Sequence, residues 1–158
     1  MRVLKKFTKF LYKIVEAFSV FFVLGMVVTV CYVVFCRYIL NDSPRWGEEV
    51  ALECMVWFSM LSASLAIWDN RHIRVTCWDM VLSRPALRAL ELIVHVILLG
   101  IIGMLFYYSM PLLKLVAPSK MSGTGISYVW MYGAVPVACV FMVIATIERI
   151  GEIYGGKS

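Results

Sequence analysis

Charge is scarce in this chain of 158 residues: Asp, Glu, Lys and Arg make up 16%, against about 25% in an ordinary soluble domain. Hydrophobic residues make up 62%, against about 45–50%, and the mean hydropathy is +0.86. These figures exclude a water-soluble domain, and with it disorder, collagen and a nucleic-acid binder. Histidine is nearly absent, with His72 and His95 only. The five cysteines, Cys31, Cys36, Cys54, Cys77 and Cys139, show no C-x-x-C spacing. Four of them lie in apolar stretches where a thiol behaves as a small hydrophobe, so neither a disulfide nor a metal site is expected. There is no P-loop, no dinucleotide fingerprint and no nucleophile beside a base, hence no expected catalytic residue or cofactor. Internal repeats and low-complexity segments are also absent.

What is present is a set of charge-free runs. Residues 17–36, 92–113 and 121–147 carry no Asp, Glu, Lys or Arg, and each is long enough for a membrane-spanning helix. A fourth run, 54–68, covers only about 22 Å at 1.5 Å per residue and must borrow upstream residues. Ser43 and Pro44 suit an N-cap and a first helical position, which starts that helix near residue 44. Pro136 in the last run predicts a bend. The expectation is an all-α polytopic membrane protein, one domain over 1–158, with four transmembrane helices at about 17–36, 44–68, 92–113 and 126–147. The first apolar run exceeds the roughly 7–15 residues of a signal-peptide core, so it is expected as a retained helix. Before it, Val3, Leu4, Phe7, Phe10, Leu11 and Ile14 recur at helical spacing opposite Lys5, Lys6, Lys9 and Lys13, which predicts an amphipathic interfacial helix over 3–14 against membrane lipids. Residues 73–81, within a loop at 69–91, repeat that pattern more weakly.

Basic residues set the orientation. Arg2, Lys5, Lys6, Lys9, Lys13, Arg71, Arg74, Arg84, Arg88, Arg149 and Lys157 fall on one side, against Arg37, Arg45, Lys114 and Lys120 on the other. The excess marks the cytoplasmic side, so both termini and the 69–91 loop are expected there. Tyr38, Trp46, Tyr128, Trp130 and Tyr132 fall near the outer ends, and Tyr12, Trp68, Trp78 and Tyr154 near the inner ends, as two interfacial belts. Trp57 sits mid-span and reads as a packing residue.

Three carboxylates crowd the start of the second span. Glu49 and Glu53 are four apart on one face, and Glu48 lies about 100° round the helix. Ionisable groups within a span normally find a partner, a cavity or the interface. Three readings stand: local pairing with Arg37 and Arg45 in the headgroup layer, a buried network between subunits, and an ion or proton relay. Ser59 with Ala63, and Ser62 with Ala66, give small residues at i and i+4 that allow close helix approach.

The stretch "FCRYILNDSPRWGEEVALECMVWFSMLSASLAIWDNRHIRV", residues 35–75, resembles the small membrane subunit of tripartite ATP-independent periplasmic (TRAP) transporters. It has an Arg (Arg37) at the end of the first span and a W-x-E-E (Trp46, Glu48, Glu49) opening the second. The small-residue segment and H-I-x-V from His72 follow. "ISYVWMYGAVP", residues 126–136, resembles the family's Tyr and Pro segment in the last span. Ser62 and Asn70 depart from it, standing where glycine is common. The resemblance implies a large multi-span membrane subunit that moves substrate by an elevator-type motion, and a periplasmic binding protein that delivers an organic acid, with sodium as coupling ion. This chain would then brace the large subunit. The competing readings are a membrane anchor of a haem- or quinone-linked redox complex using His95, and a small independent transporter using the three glutamates.

Overall fold

The computed structural model describes residues 2–69 and 84–154, with side chains over 8–69 and 90–151. His72, Cys77 and the 73–81 stretch lie outside the described residues. The described chain is all-α, and four helices are long and apolar enough to cross a membrane.

Helix α1 is Arg2–Phe35, continued by a π-turn at Cys36–Leu40. The stretch expected as a separate interfacial helix is helical but joins the first span without a break. No glycine, proline or capping break interrupts residues 3–24, so the i→i−4 ladder simply continues. At 34 residues α1 is about 51 Å long, well beyond a hydrocarbon core of about 30 Å. Asn41 stops the π-turn in the left-handed region (φ 53°), which asparagine tolerates better than most residues, and the amide of Asp42 closes on Cys36 O at 3.3 Å.

Helix α2 is Arg45–Trp68. The expected Ser43 cap is not made. Pro44 is the cap residue, extended at ψ 118°, and its carbonyl takes the Gly47 amide at 3.1 Å. Helix α3, Arg84–Val116, passes through Pro111. The last span is divided into α4, Tyr128–Tyr132, and α5, Ala134–Tyr154. The division falls at Gly133 and not at Pro136. Pro136 lies in the first turn of α5, where a missing N–H costs no helical bond. At Gly133 a Cβ would stand 2.8 Å from the carbonyl oxygen of Val129, so the tight joint requires glycine.

Packing puts the long helices in a row, α1–α2–α5–α3, and not in a closed bundle, since α1 and α3 make no extensive contact. α1 and α2 run antiparallel, with Cys54 beside Gly25, Trp57 on Phe22 and Trp68 on Tyr12. α5 occupies the middle. Ala134, Ala138 and Ala145 are fully buried, as is Thr146, so α2 and α3 both approach its backbone closely. The core gathers Ile67 and Trp68 of α2, Ile102 of α3, and Cys139 and Ala145 of α5. Large apolar side chains cover the outside, among them Phe21, Leu24 and Val28 on α1 and Val96, Met104 and Tyr107 on α3. In water such a surface would drive aggregation; against lipid tails or partner helices it carries no such penalty.

Candidate functional site

Polar side chains collect at the two ends of the row. At the end away from the N-terminus, the first turns of α2 present Arg45, Trp46, Glu48 and Glu49. Glu48 pairs with Arg37 at 2.9 Å, both largely exposed, linking α1 to α2. Glu49 binds the loop between α3 and α4. Its carboxylate accepts from Ser122 Oγ (3.1 Å), Gly123 N (2.8 Å), Thr124 N (2.8 Å) and Thr124 Oγ1 (2.9 Å). A single side chain thus satisfies two loop amides and two hydroxyls. Loop and helix touch directly: a Cβ at Gly123 would lie 2.7 Å from Trp46 N and 2.8 Å from the Arg45 carbonyl carbon. The loop holds its own shape through Met121 N to Ile126 O (2.9 Å) and Gly125 N to Met121 O (3.0 Å), with Gly125 at φ 71°. Arg37, Ser43, Arg45, Glu48, Glu49 and Ser122 line an open polar pocket of about 340 Å³ beside this clasp.

One turn deeper, Glu53 is buried at 7% exposure, and its Oε1 has no hydrogen-bond partner. The Nε1 of Trp57, a further turn along, is likewise buried without a partner. The Trp57 ring stacks on Phe22 (5.5 Å, 14°) and lies 5.9 Å from Trp130 of α4, in keeping with a packing residue. The three carboxylates that share one stretch of sequence therefore have three different surroundings. Among the small residues of α2, Ser59 is exposed and donates to Met55 O, while Ser62 and Ala63 are half-buried. Ser64 is the one in full contact, its hydroxyl donating to Leu61 O at 2.6 Å.

The other end carries a clasp that the sequence reading missed. Glu148 of α5 accepts from Thr8 Oγ1 of α1 (2.8 Å) and from Trp68 Nε1 of α2 (2.6 Å), so one carboxylate joins three helices. Arg149 donates to the carbonyl of Trp68, satisfying a C-terminal group of α2. Tyr12 packs edge-on against Trp68 and donates its hydroxyl to Asp69 at 3.0 Å. The available signal was Glu148 beside Arg149 at the end of an uncharged run. Its partners, 80 and 140 residues away in sequence, leave no local trace.

His95 is buried at 2% exposure, with Nδ1–H donated to Glu91 O one turn back at 2.7 Å. Cys31, Cys36, Cys54 and Cys139 are free thiols. Among the described residues no three of His, Cys, Asp and Glu come together as a metal site.

Four apolar spans in an open row, fixed to each other by polar clasps at the ends, define a multi-pass membrane protein. The family described as "Tripartite ATP-independent periplasmic transporters, DctQ component" matches residues 26–154, and the chain belongs to that family. It is similar to the sialic acid TRAP transporter small permease protein SiaQ of Vibrio cholerae serotype O1, being 26% identical over 147 residues, 93% of this chain and 85% of that protein. It is accordingly a TRAP transporter small permease subunit and not an enzyme, and the redox-anchor reading is not favoured.

Proposed function

We propose that this chain braces the large substrate-translocating subunit of a TRAP transporter, in the sodium-coupled uptake of an organic acid delivered by a periplasmic binding protein. The observation that carries this reading is where the polar groups go. Arg37, Glu48, Glu49, Thr8, Trp68 and Glu148 bond between this chain's own elements, while the broad faces of the row are apolar. A plate of this kind suits a support, and among the described residues the polar bonds gather at its two ends. Apolar grooves of about 310 Å³ (Ala63, Ile67, Ile97, Leu98, Met142) and 360 Å³ (Met104, Leu105, Tyr108, Val135) give helices of the large subunit places to seat.

In a bacterial inner membrane, which the family suggests, the basic-residue bias supports cytoplasmic termini, an orientation in which the clasp of Glu49 and the 122–124 loop faces the periplasm. There Arg45 and Lys114 offer cationic contacts to the binding protein. Reconstitution with the large subunit and the binding protein tests both statements. Transport at full rate without this chain would refute the bracing role. Loss of transport on reversing Arg45 and Lys114 to Glu, with the membrane complex intact, supports docking at this face, and unchanged transport refutes it.

A further inference from the structure

We propose that the polar pocket at the start of α2 holds the headgroup of a phosphatidylethanolamine lipid. The pocket is open, measures about 340 Å³ and is lined by Arg37 of the π-turn, by Ser43, Arg45, Glu48 and Glu49 at the entrance to α2, and by Ser122 of the loop between α3 and α4. Its charges are unevenly used. Glu49 is occupied by four loop donors and Glu48 Oε1 by Arg37, but Arg45 makes no ion pair or hydrogen bond among the described residues. Glu48 Oε2 has no partner among them either. Arg45 and Glu48 are three apart on α2, which sets their Cβ atoms about 5–6 Å apart, yet both line the pocket without pairing to each other. A simple anion in this space meets two carboxylates, and a simple cation meets two guanidinium groups. A phosphate and an ammonium joined by a short link answer both. The phosphate takes the planar fork of Arg45 and the Ser43 hydroxyl at the positive end of the α2 dipole, and the ammonium donates to Glu48 Oε2. The surroundings favour a lipid as the carrier of this group. Arg37 belongs to the π-turn whose Tyr38, Ile39 and Leu40 are all exposed, and Trp46 lies against Tyr32 of α1 at 5.7 Å. Aromatic side chains of this kind sit where headgroups give way to acyl chains, so the tails have an apolar surface beside the pocket. A choline headgroup has no N–H for Glu48, and a glycerol headgroup has no cation. The inference concerns this chain alone and does not depend on the bracing role; Arg45 is exposed and keeps further N–H donors for a binding protein.

The experiment uses the full chain, delipidated in detergent and titrated with phosphatidylethanolamine, phosphatidylcholine or phosphatidylglycerol of identical acyl chains, bound lipid being counted by native mass spectrometry. Phosphatidylethanolamine should bind about tenfold more tightly than the other two, the worth of one charge-assisted hydrogen bond. Arg45→Gln should weaken it by about tenfold or more, and Glu48→Gln should bring it to the level of phosphatidylcholine. Lys120→Gln, outside the pocket, should change nothing. Equal binding of the three lipids by the native chain overturns the proposal, as does undiminished phosphatidylethanolamine binding in Arg45→Gln. Glycerophosphoethanolamine, the same headgroup without tails, should compete only at far higher concentration; if it binds as tightly as the lipid, the occupant is a soluble zwitterion and the lipid is refuted. Arg45 and Glu48 are both exposed, so the variants should fold, and the comparison of the three lipids on the native chain decides the question even if one does not.

Discussion

Gly123 offers the sharpest test of the loop clasp. A Cβ there would meet Trp46 N at 2.7 Å, the Arg45 carbonyl carbon at 2.8 Å and Trp46 Cα at 2.9 Å, all backbone atoms that cannot rotate aside. Ordinary contact begins near 3.4 Å, so Gly123→Ala must push the loop out by about half an ångström or more. The amides of Gly123 and Thr124, now 2.8 Å from Glu49, would then lie at or past the edge of good hydrogen-bond range. Overpacking of this kind costs about 1–3 kcal/mol, which for a chain of this size lowers the melting midpoint by roughly 2–12 °C. Gly125 is the control. Nothing lies within 4 Å of its hypothetical Cβ, but its φ is 71°, so Gly125→Ala should cost only the left-handed penalty of about 1–2 kcal/mol, and Gly125→Asn less. Thermal unfolding in one detergent, with protease sensitivity of the 117–127 loop read in parallel, distinguishes the two variants. Gly123→Ala should both melt earlier and open the loop to cleavage, whereas Gly125→Asn should melt closer to the native chain and keep the loop protected. A Gly123→Ala protein that melts with the native chain and keeps its loop protected would refute the close approach.

At the other end, Trp68→Phe keeps the edge contact with Tyr12 but removes the donor to Glu148, and should cost about 1.5–3 kcal/mol in the same melting assay; a neutral result would mean that the clasp does not bear on stability. Ala138→Leu on the buried face of α5 should destabilise by about 1–3 kcal/mol, while Ile101→Leu on the exposed face of α3 should be silent. Glu49→Gln brings an NH₂ group toward the Gly123 and Thr124 amides, which can only donate, so recovery of the transporter complex should fall while the sodium dependence of residual transport stays unchanged. A changed sodium stoichiometry with intact assembly would favour ion coupling instead. Cysteine placed at position 157 should react with an impermeant thiol reagent only after the membrane is opened, and labelling of intact cells from outside would overturn the four-span orientation.

Composition and periodicity determined the helical spans, because the cost of placing a peptide group or a charge in hydrocarbon acts residue by residue along the chain. A run of 22 residues without Asp, Glu, Lys or Arg at 92–113 admits few readings, and the stretches 35–75 and 126–136, taken together, suggested the family. Local geometry was less legible. Whether Pro44 opens the helix or caps it, and whether the last span yields at Pro136 or Gly133, differ by little in intrinsic preference, so neighbouring contacts such as Val129 against Gly133 decided them.

Only the tertiary structure decided what the charged residues do. Glu48, Glu49 and Glu53 are nearly equivalent in sequence, yet one pairs with Arg37, one binds a loop more than 70 residues away and one is buried with an open acceptor. The order of the helices in the row was equally hidden. It depends on which faces are smooth enough to meet, and the buried Ala134, Ala138 and Ala145 put α5 between α2 and α3. Hydrocarbon insertion depends on the total apolarity of a segment, which can be added up along a sequence. Helix packing depends on the shape of two surfaces together, and that sum has no meaning until both are in place.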